Sequence, residues 1–204
     1  MAEKLKIGVL VSGSGTNLQA IIDQAAAGLA VDVVLVVSSR PDAYGITRAE
    51  AAGIPTLVLN RDAYVDREAA DARIVAALQE AGAEYVAMAG YMRMVTPVLL
   101  RAYPNRVINL HPALLPSFVG AHAIDDAFNA GVKVTGITVH FANEEYDKGP
   151  IIAQRAVPVL ETDTLDTLEA RIHEAEHELY PAVLGLIAAG KVTVLENGKV
   201  RIDE

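Results

Sequence analysis

Short apolar runs alternate with helical segments through the first half of the chain, and this alternation restricts the fold more than any other feature. KIGVLVS (6–12), VDVVLVVSS (31–39), TLVLN (56–60), YVAMAG (85–90) and RVINLH (106–111) are rich in β-branched residues and nearly continuous in apolar character. That is the pattern of strands covered on both faces. Between them lie LQAIIDQAAAG (18–28), AYGITRAEAAG (43–53), REAADARIVAALQEAG (67–82) and a short helix from Thr96 to Tyr103. Strands joined through helices make βαβ crossovers and a mostly parallel sheet.

The second half reads differently. HPALLPSFVGAH (111–122) is a loop with Pro and Gly, of the kind that carries function. After a helix near 123–130, TGITVHFA (135–142) and IIAQRAVPV (151–159) read as an antiparallel pair joined by NEEYDKG. A long helix is expected over 164–189, and VTVLENGKVRI closes the chain with Asn197-Gly198 as a hairpin turn. The expected fold class is α/β, an open, mostly parallel twisted sheet with helices on both faces. Its first half is Rossmann-like and its second carries antiparallel strands. With no linker, repeat or low-complexity stretch, 1–204 is expected to be a single domain, with halves at about 1–105 and 106–204.

Composition narrows the partners. The chain is 52% hydrophobic and 21% charged, enough apolar content for a core. A net charge of -9 argues against a nucleic-acid backbone as ligand, and the low aromatic content argues against a base-stacking platform. The absence of cysteine excludes disulfides and thiolate metal sites. No signal-peptide apolar region and no run of 18 apolar residues occurs, so a cytoplasmic location without a membrane span is expected.

HEAEH (173–177) matches the H-E-x-x-H zinc signature, which counts only in the right helical context. At 100° per residue, Leu165, Leu168, Ile172, Leu179, Val183 and Leu186 form one stripe of the long helix. Glu176 falls inside that stripe, His173 and His177 flank it, and Glu174 points nearly opposite. No His follows His177, and Glu196, at a tolerable distance downstream, sits beside the expected hairpin turn, so no metal is expected. Glu176 is the informative letter, because a carboxylate on an apolar face needs a partner. Either an Arg or Lys pairs with it, or it sits at the helix edge, or it lines a ligand site and meets a cationic or amine group there.

SGSGTN (12–17) stands between a strand and a helix, where backbone N–H groups and the helix N-terminus face an anion. Gly13 and Gly15 allow the tight turn, and Thr16 and Asn17 are expected to cap the helix and donate to a phosphate. A P-loop lysine is missing, Leu18 breaks G-x-G-x-x-G, and no acid ends the second strand. A phosphorylated metabolite is therefore expected rather than a dinucleotide. At the same edge, Asn109 and His111 are two apart on a strand and share a face. If Asp147 reaches His111 it favours imidazolium, and Asn109 can donate to a developing oxyanion.

SGSGTNLQAI, AGYMRMV, INLHPALLP, the spacing G-I-T-V-H-F-x5-D-x-G-P-I and EAEHELYP occur in this order across nearly the whole chain. Together they resemble the folate-dependent glycinamide ribonucleotide formyltransferases of purine synthesis, in the formyltransferase superfamily. The resemblance implies formyl transfer from 10-formyltetrahydrofolate to the amine of glycinamide ribonucleotide, without a metal. It implies a catalytic set of Asn109, His111 and Asp147, with Gly15, Thr16 and Asn17 on the substrate phosphate and Glu176 at the amine end. Arg67, Met92, Arg93, Met94 and Val95 would line the folate site, with the backbone of Asn143 to Asp147 near the pterin. A cis peptide at Leu115–Pro116 is also implied. Val119 stands where a Pro is common in this family, which bears on the rigidity of the loop after His111. The superfamily alternatives are a formyltetrahydrofolate hydrolase and a non-catalytic binding domain. No tRNA-binding or regulatory segment is evident, and a monomer or homodimer acting on small molecules is expected.

Overall fold

The computed structural model describes residues 4–203, so residues 1–3 and 204, the outer ends of the expected domain, lie outside the described residues. The chain divides into two compact units between Ile108 and Asn109. In the first unit β1 (Leu5–Val11), β2 (Val31–Ser38), β3 (Thr56–Val58) and β4 (Tyr85–Met88) run parallel in the order β3-β2-β1-β4. Next to β4 comes the start of β5 (Val107–His111). The helices are α1 (Thr16–Ala26), α2 (Tyr44–Ala51), α3 (Arg67–Glu80) and α4 (Pro97–Ala102). Val9, Leu10 and Val11 are all fully buried, as are Val36 and Val37. Consecutive residues point to opposite faces of a sheet, so both faces are covered. This is why these strands carry no polar alternation.

One local expectation is corrected and one element is added. The residue that caps α1 is Gly15, at φ 69, with no side-chain cap, and Thr16 and Asn17 are the first two helical residues. The loop enters α1 through a left-handed residue, which glycine adopts without strain, and this leaves Thr16 one and Asn17 two positions too late to cap. A 3-10 helix at Arg61–Val65, capped by the Asn60 side chain on Ala63 N–H, follows β3 and has no periodic signal of its own.

In the second unit the order is β5-β6-β7. β6 (Val134–Phe141) and β7 (Ile151–Pro158) are antiparallel, with a register shift between Val139 and His140. α5 (Ala123–Asn129) precedes them. α6 (Leu165–Ala188) follows, starting from a capping box of Thr164 and Thr167 and running through Pro181. The buried face of α6 is Leu168, Ile172, Glu176, Tyr180, Val183, Leu184 and Ile187, whereas Leu165, Leu179 and Leu186 are only half-buried. β8 (Val192–Val194) and β9 (Val200–Ile202) pair around Leu195–Lys199, so the Asn197-Gly198 turn sits inside a longer loop. The fold is α/β, with a mixed, mostly parallel sheet and a Rossmann-like first half. Among the described residues no helix is long and apolar enough to cross a membrane.

Candidate active site

β5 ends in Asn109, half-buried, and His111, 3% exposed, on the shared face that period two requires. His111 Nε2 donates to the Phe118 carbonyl at 2.8 Å, and its Nδ1 lies 3.5 Å from Asp147 Oδ2. A carbonyl and a carboxylate only accept, so the ring meets an acceptor at each nitrogen. The Asp147 side chain is 1% exposed. Its Oδ2 also accepts from Gly120 N–H at 3.1 Å.

The loop after His111 is therefore tied at two successive points, Phe118 through its carbonyl and Gly120 through its amide. Phe118 and Asp147 both hold positive φ, at 52° and 54°. Non-glycine residues persist there only where the surroundings hold them. Val119 is 48% exposed between the two ties, so this loop is held without a proline. The Leu115–Pro116 peptide is cis.

His140 completes the cluster, and no role was expected of it. Its Nδ1 donates to the Phe141 carbonyl at 3.0 Å, which leaves Nε2 to accept from Asn109 Nδ2 at 3.1 Å. Burial lowers its pKa below the ordinary imidazole value, which keeps the acceptor nitrogen unprotonated. Nε2 also lies 3.8 Å from Asp147 Oδ1. His140 thus fixes which way the Asn109 amide faces. Two apart from it on β6, buried Thr138 accepts from Leu115 N–H at 3.0 Å and donates to the Ala113 carbonyl at 2.6 Å. Thr138 and His140, two apart on one face of β6, were the available signal.

On α6, Glu176 is 4% exposed, and its Oε2 accepts from His173 Nδ1 at 2.8 Å. The identified partner is a histidine of the same motif, three residues back along the helix and so on the same face. His173 Nε2 faces Glu169 at 3.5 Å, and the His173 and His177 rings stack 6.4 Å apart. Both His173 nitrogens face carboxylates, so they do not point to a common metal position. Among the described residues no group of three or more His, Asp or Glu could hold a metal ion.

The Glu176 hydrogen bond raises the His173 pKa. The stability it contributes is present below the unfolded imidazole value, about 6.5, and is lost as pH rises through the higher folded value. Urea midpoints of His173→Gln and the parent chain should therefore lie furthest apart near about pH 6 and converge in mild alkali. A gap that widens with pH would reject this assignment.

In the first unit, Gly15, Thr16 and Asn17 form the turn into α1, with Asn17 buried. The 92–95 segment is pinned at both ends. Met92 N–H donates to Ser12 Oγ at 2.8 Å, and Thr96 N–H donates to buried Asp71 at 2.6 Å. Arg93 stacks over Tyr64 at 4.7 Å, while Met92 and Met94 stand 71% and 53% exposed. Arg67 opens α3 in an exposed position; burial raises the pKa of Asp71 above the ordinary carboxylate value, against the Thr96 hydrogen bonds and, least, the Arg67 charge. In the second unit Asn143 is exposed, and its side chain accepts from Glu145 N–H at 3.1 Å.

Residues 5–184 match the formyl transferase family. The chain is 44% identical over 180 residues to the phosphoribosylglycinamide formyltransferase of Bacillus subtilis (strain 168), covering 88% of this chain and 92% of that protein. It is 43% identical over 199 residues to the trifunctional purine biosynthetic protein adenosine-3 of Bos taurus, covering 97% of this chain but 20% of that one. The chain thus spans about a fifth of that longer relative. Glycinamide ribonucleotide transformylase 1 from Symbiobacterium toebii superposes with a TM-score of 0.96 at 47% identity, covering 100% of this chain and 96% of that one.

Proposed function

The chain belongs to the formyl transferase family, and on that premise we propose that it transfers the formyl group of 10-formyltetrahydrofolate to the amine of glycinamide ribonucleotide. The products are N-formylglycinamide ribonucleotide and tetrahydrofolate, a step of de novo purine synthesis. The observation that carries this reading is the buried cluster of Asn109, His111, His140 and Asp147. Each of its groups donates, accepts or carries a proton, and the cluster holds no Ser, Thr, Cys or Lys nucleophile. In this reading the attacking atom belongs to a substrate.

The neutral amine bonds to the formyl carbon, and the bond from that carbon to N10 breaks. Asn109 has two amide hydrogens. His140 takes one, and the other donates to the oxyanion as it forms. His111 supplies positive charge and a proton beside it, and Asp147 holds the ring in place. The amine loses a proton and N10 gains one, directly or through water. Gly15, Thr16 and Asn17 hold the substrate phosphate, and Glu176 meets the amine end.

Arg67, Met92, Arg93, Met94 and Val95, with Asn143 and the backbone up to Asp147, line the folate site. The exposed methionines favour this, since a polarisable thioether packs well on flat rings. The same reading has residues 1–204 act as a single domain, in the cytoplasm, as a monomer or homodimer.

The test is tetrahydrofolate release by chelator-treated protein given 10-formyltetrahydrofolate with and without glycinamide ribonucleotide. Release that requires the ribonucleotide is the expected result. Release without it would replace the transferase by a hydrolase, and none in either tube would leave a binding domain.

A further inference from the structure

The glycine loop does not hold its own shape; α2 holds it. Gly45 N–H donates to the Gly13 carbonyl at 3.1 Å, and Arg48 Nε donates to the Ser14 carbonyl at 2.8 Å. Two successive carbonyls of the loop are thus drawn towards α2. A trans peptide points its N–H opposite to its C=O. The N–H groups of Ser14 and Gly15 therefore face away from α2 on a common side, the arrangement in which successive amides make an anion-binding concavity. The approach is close, since a Cβ at Gly15 would lie 2.6 Å from Gly45 Cα.

Arg48 is itself fixed. Its Nη1 donates to Gln19 Oε1 on α1 at 3.1 Å, and its guanidinium stacks over Tyr44, one turn back on α2, at 5.0 Å. One side chain therefore connects α2, the loop and α1, and it places a full positive charge beside the turn. A guanidinium stays protonated at every working pH and spans two acceptors at once, which an ammonium does not.

We propose that Arg48 is the positioning residue of the phosphate subsite: it orients the Ser14–Gly15 peptide and lends its charge to the bound phosphate monoester. This rests on the reading of the glycine loop as the phosphate site of the formyl acceptor. It accounts for an anion subsite on a chain of net charge -9 that has no lysine in the loop.

The test compares the parent chain with Arg48→Met, Arg48→Lys and Gln19→Leu. In Arg48→Met the KM for glycinamide ribonucleotide should rise about tenfold or more, while kcat and the KM for 10-formyltetrahydrofolate change less than about threefold. Arg48→Lys, which keeps the charge but not the fork, should fall between, and Gln19→Leu should raise the ribonucleotide KM about threefold. A merely structural arginine would move both KM values together with the melting temperature.

Inorganic phosphate, titrated by the amide NMR shifts of residues 14–17, gives a reading that needs no turnover, and its Kd should also rise about tenfold in Arg48→Met. Ribonucleotide KM and phosphate Kd within about twofold of the parent would overturn the proposal. If Arg48→Met fails to fold, an unchanged ribonucleotide KM and phosphate Kd in Gln19→Leu and Arg48→Lys would overturn it instead. A parent chain that binds phosphate through Arg48 but transfers no formyl group would refute the formyl reading and leave this one standing.

Discussion

Asp147→Asn is expected to cut turnover about a thousandfold, about 4 kcal/mol of transition-state stabilisation, with the fold retained. The backbone at Asp147 sits at φ 54, and Asn is the non-glycine side chain most tolerant of that region. The Asn oxygen can still accept from Gly120 N–H, as Asp147 does at 3.1 Å. What disappears is the negative charge 3.5 Å from His111 Nδ1. The oxygen that accepts from Gly120 is also the atom facing that ring, so the amide nitrogen falls at the Oδ1 position near His140, and what His111 loses is the charge. The measurement is ribonucleotide-dependent release of tetrahydrofolate by the variant, alongside its urea midpoint. Turnover within tenfold of the parent, in a folded variant, would remove Asp147 from the reaction.

Gly149→Ala is the second large effect, and it acts on stability and chemistry together. Gly149 lies at the base of the loop that carries Asp147, where a Cβ would land on the Phe141 carbonyl oxygen and lie 3.4 Å from His140 Nδ1. A backbone oxygen has no alternative rotamer, so the strand or the loop must shift, at a cost of roughly 3 kcal/mol. That same carbonyl accepts the His140 Nδ1 proton at 3.0 Å. Moving it frees the His140 tautomer, and with it the orientation of Asn109. Thermal or urea unfolding should show the loss, and the fraction still folded should turn over more slowly than the parent chain. A variant with an unchanged midpoint would show that the loop is not packed as described.

Much of the candidate site was legible. Asn109 and His111 were paired by the two-residue period of a strand, and the partner they needed, Asp147, lies 3.5 Å from His111. Glu176 stood out as an acid on an apolar helical stripe, and it is 4% exposed. His140 was missed because its polar neighbour at period two, Thr138, gives no sign of what either side chain meets. Its two partners are Asn109, 31 residues away on β5, and the adjacent Phe141 carbonyl. The α1 cap was misjudged for a related reason. Thr16 and Asn17 have the right chemistry for a cap, but the left-handed Gly15 takes that position.

By itself the sequence determined which segments become strands and helices, and which of their faces are buried. Burial of apolar surface is non-directional and sums along a segment, so periodicity alone reports it. It also determined that the acid of HEAEH faces inward. The tertiary structure decided every pairing that depends on a direction: Arg48 on the Ser14 carbonyl, His140 on Asn109, Gly120 on Asp147. A hydrogen bond requires two groups within about 3 Å and aligned. These partners are 27 to 34 residues apart, so only the folded loops bring them into line.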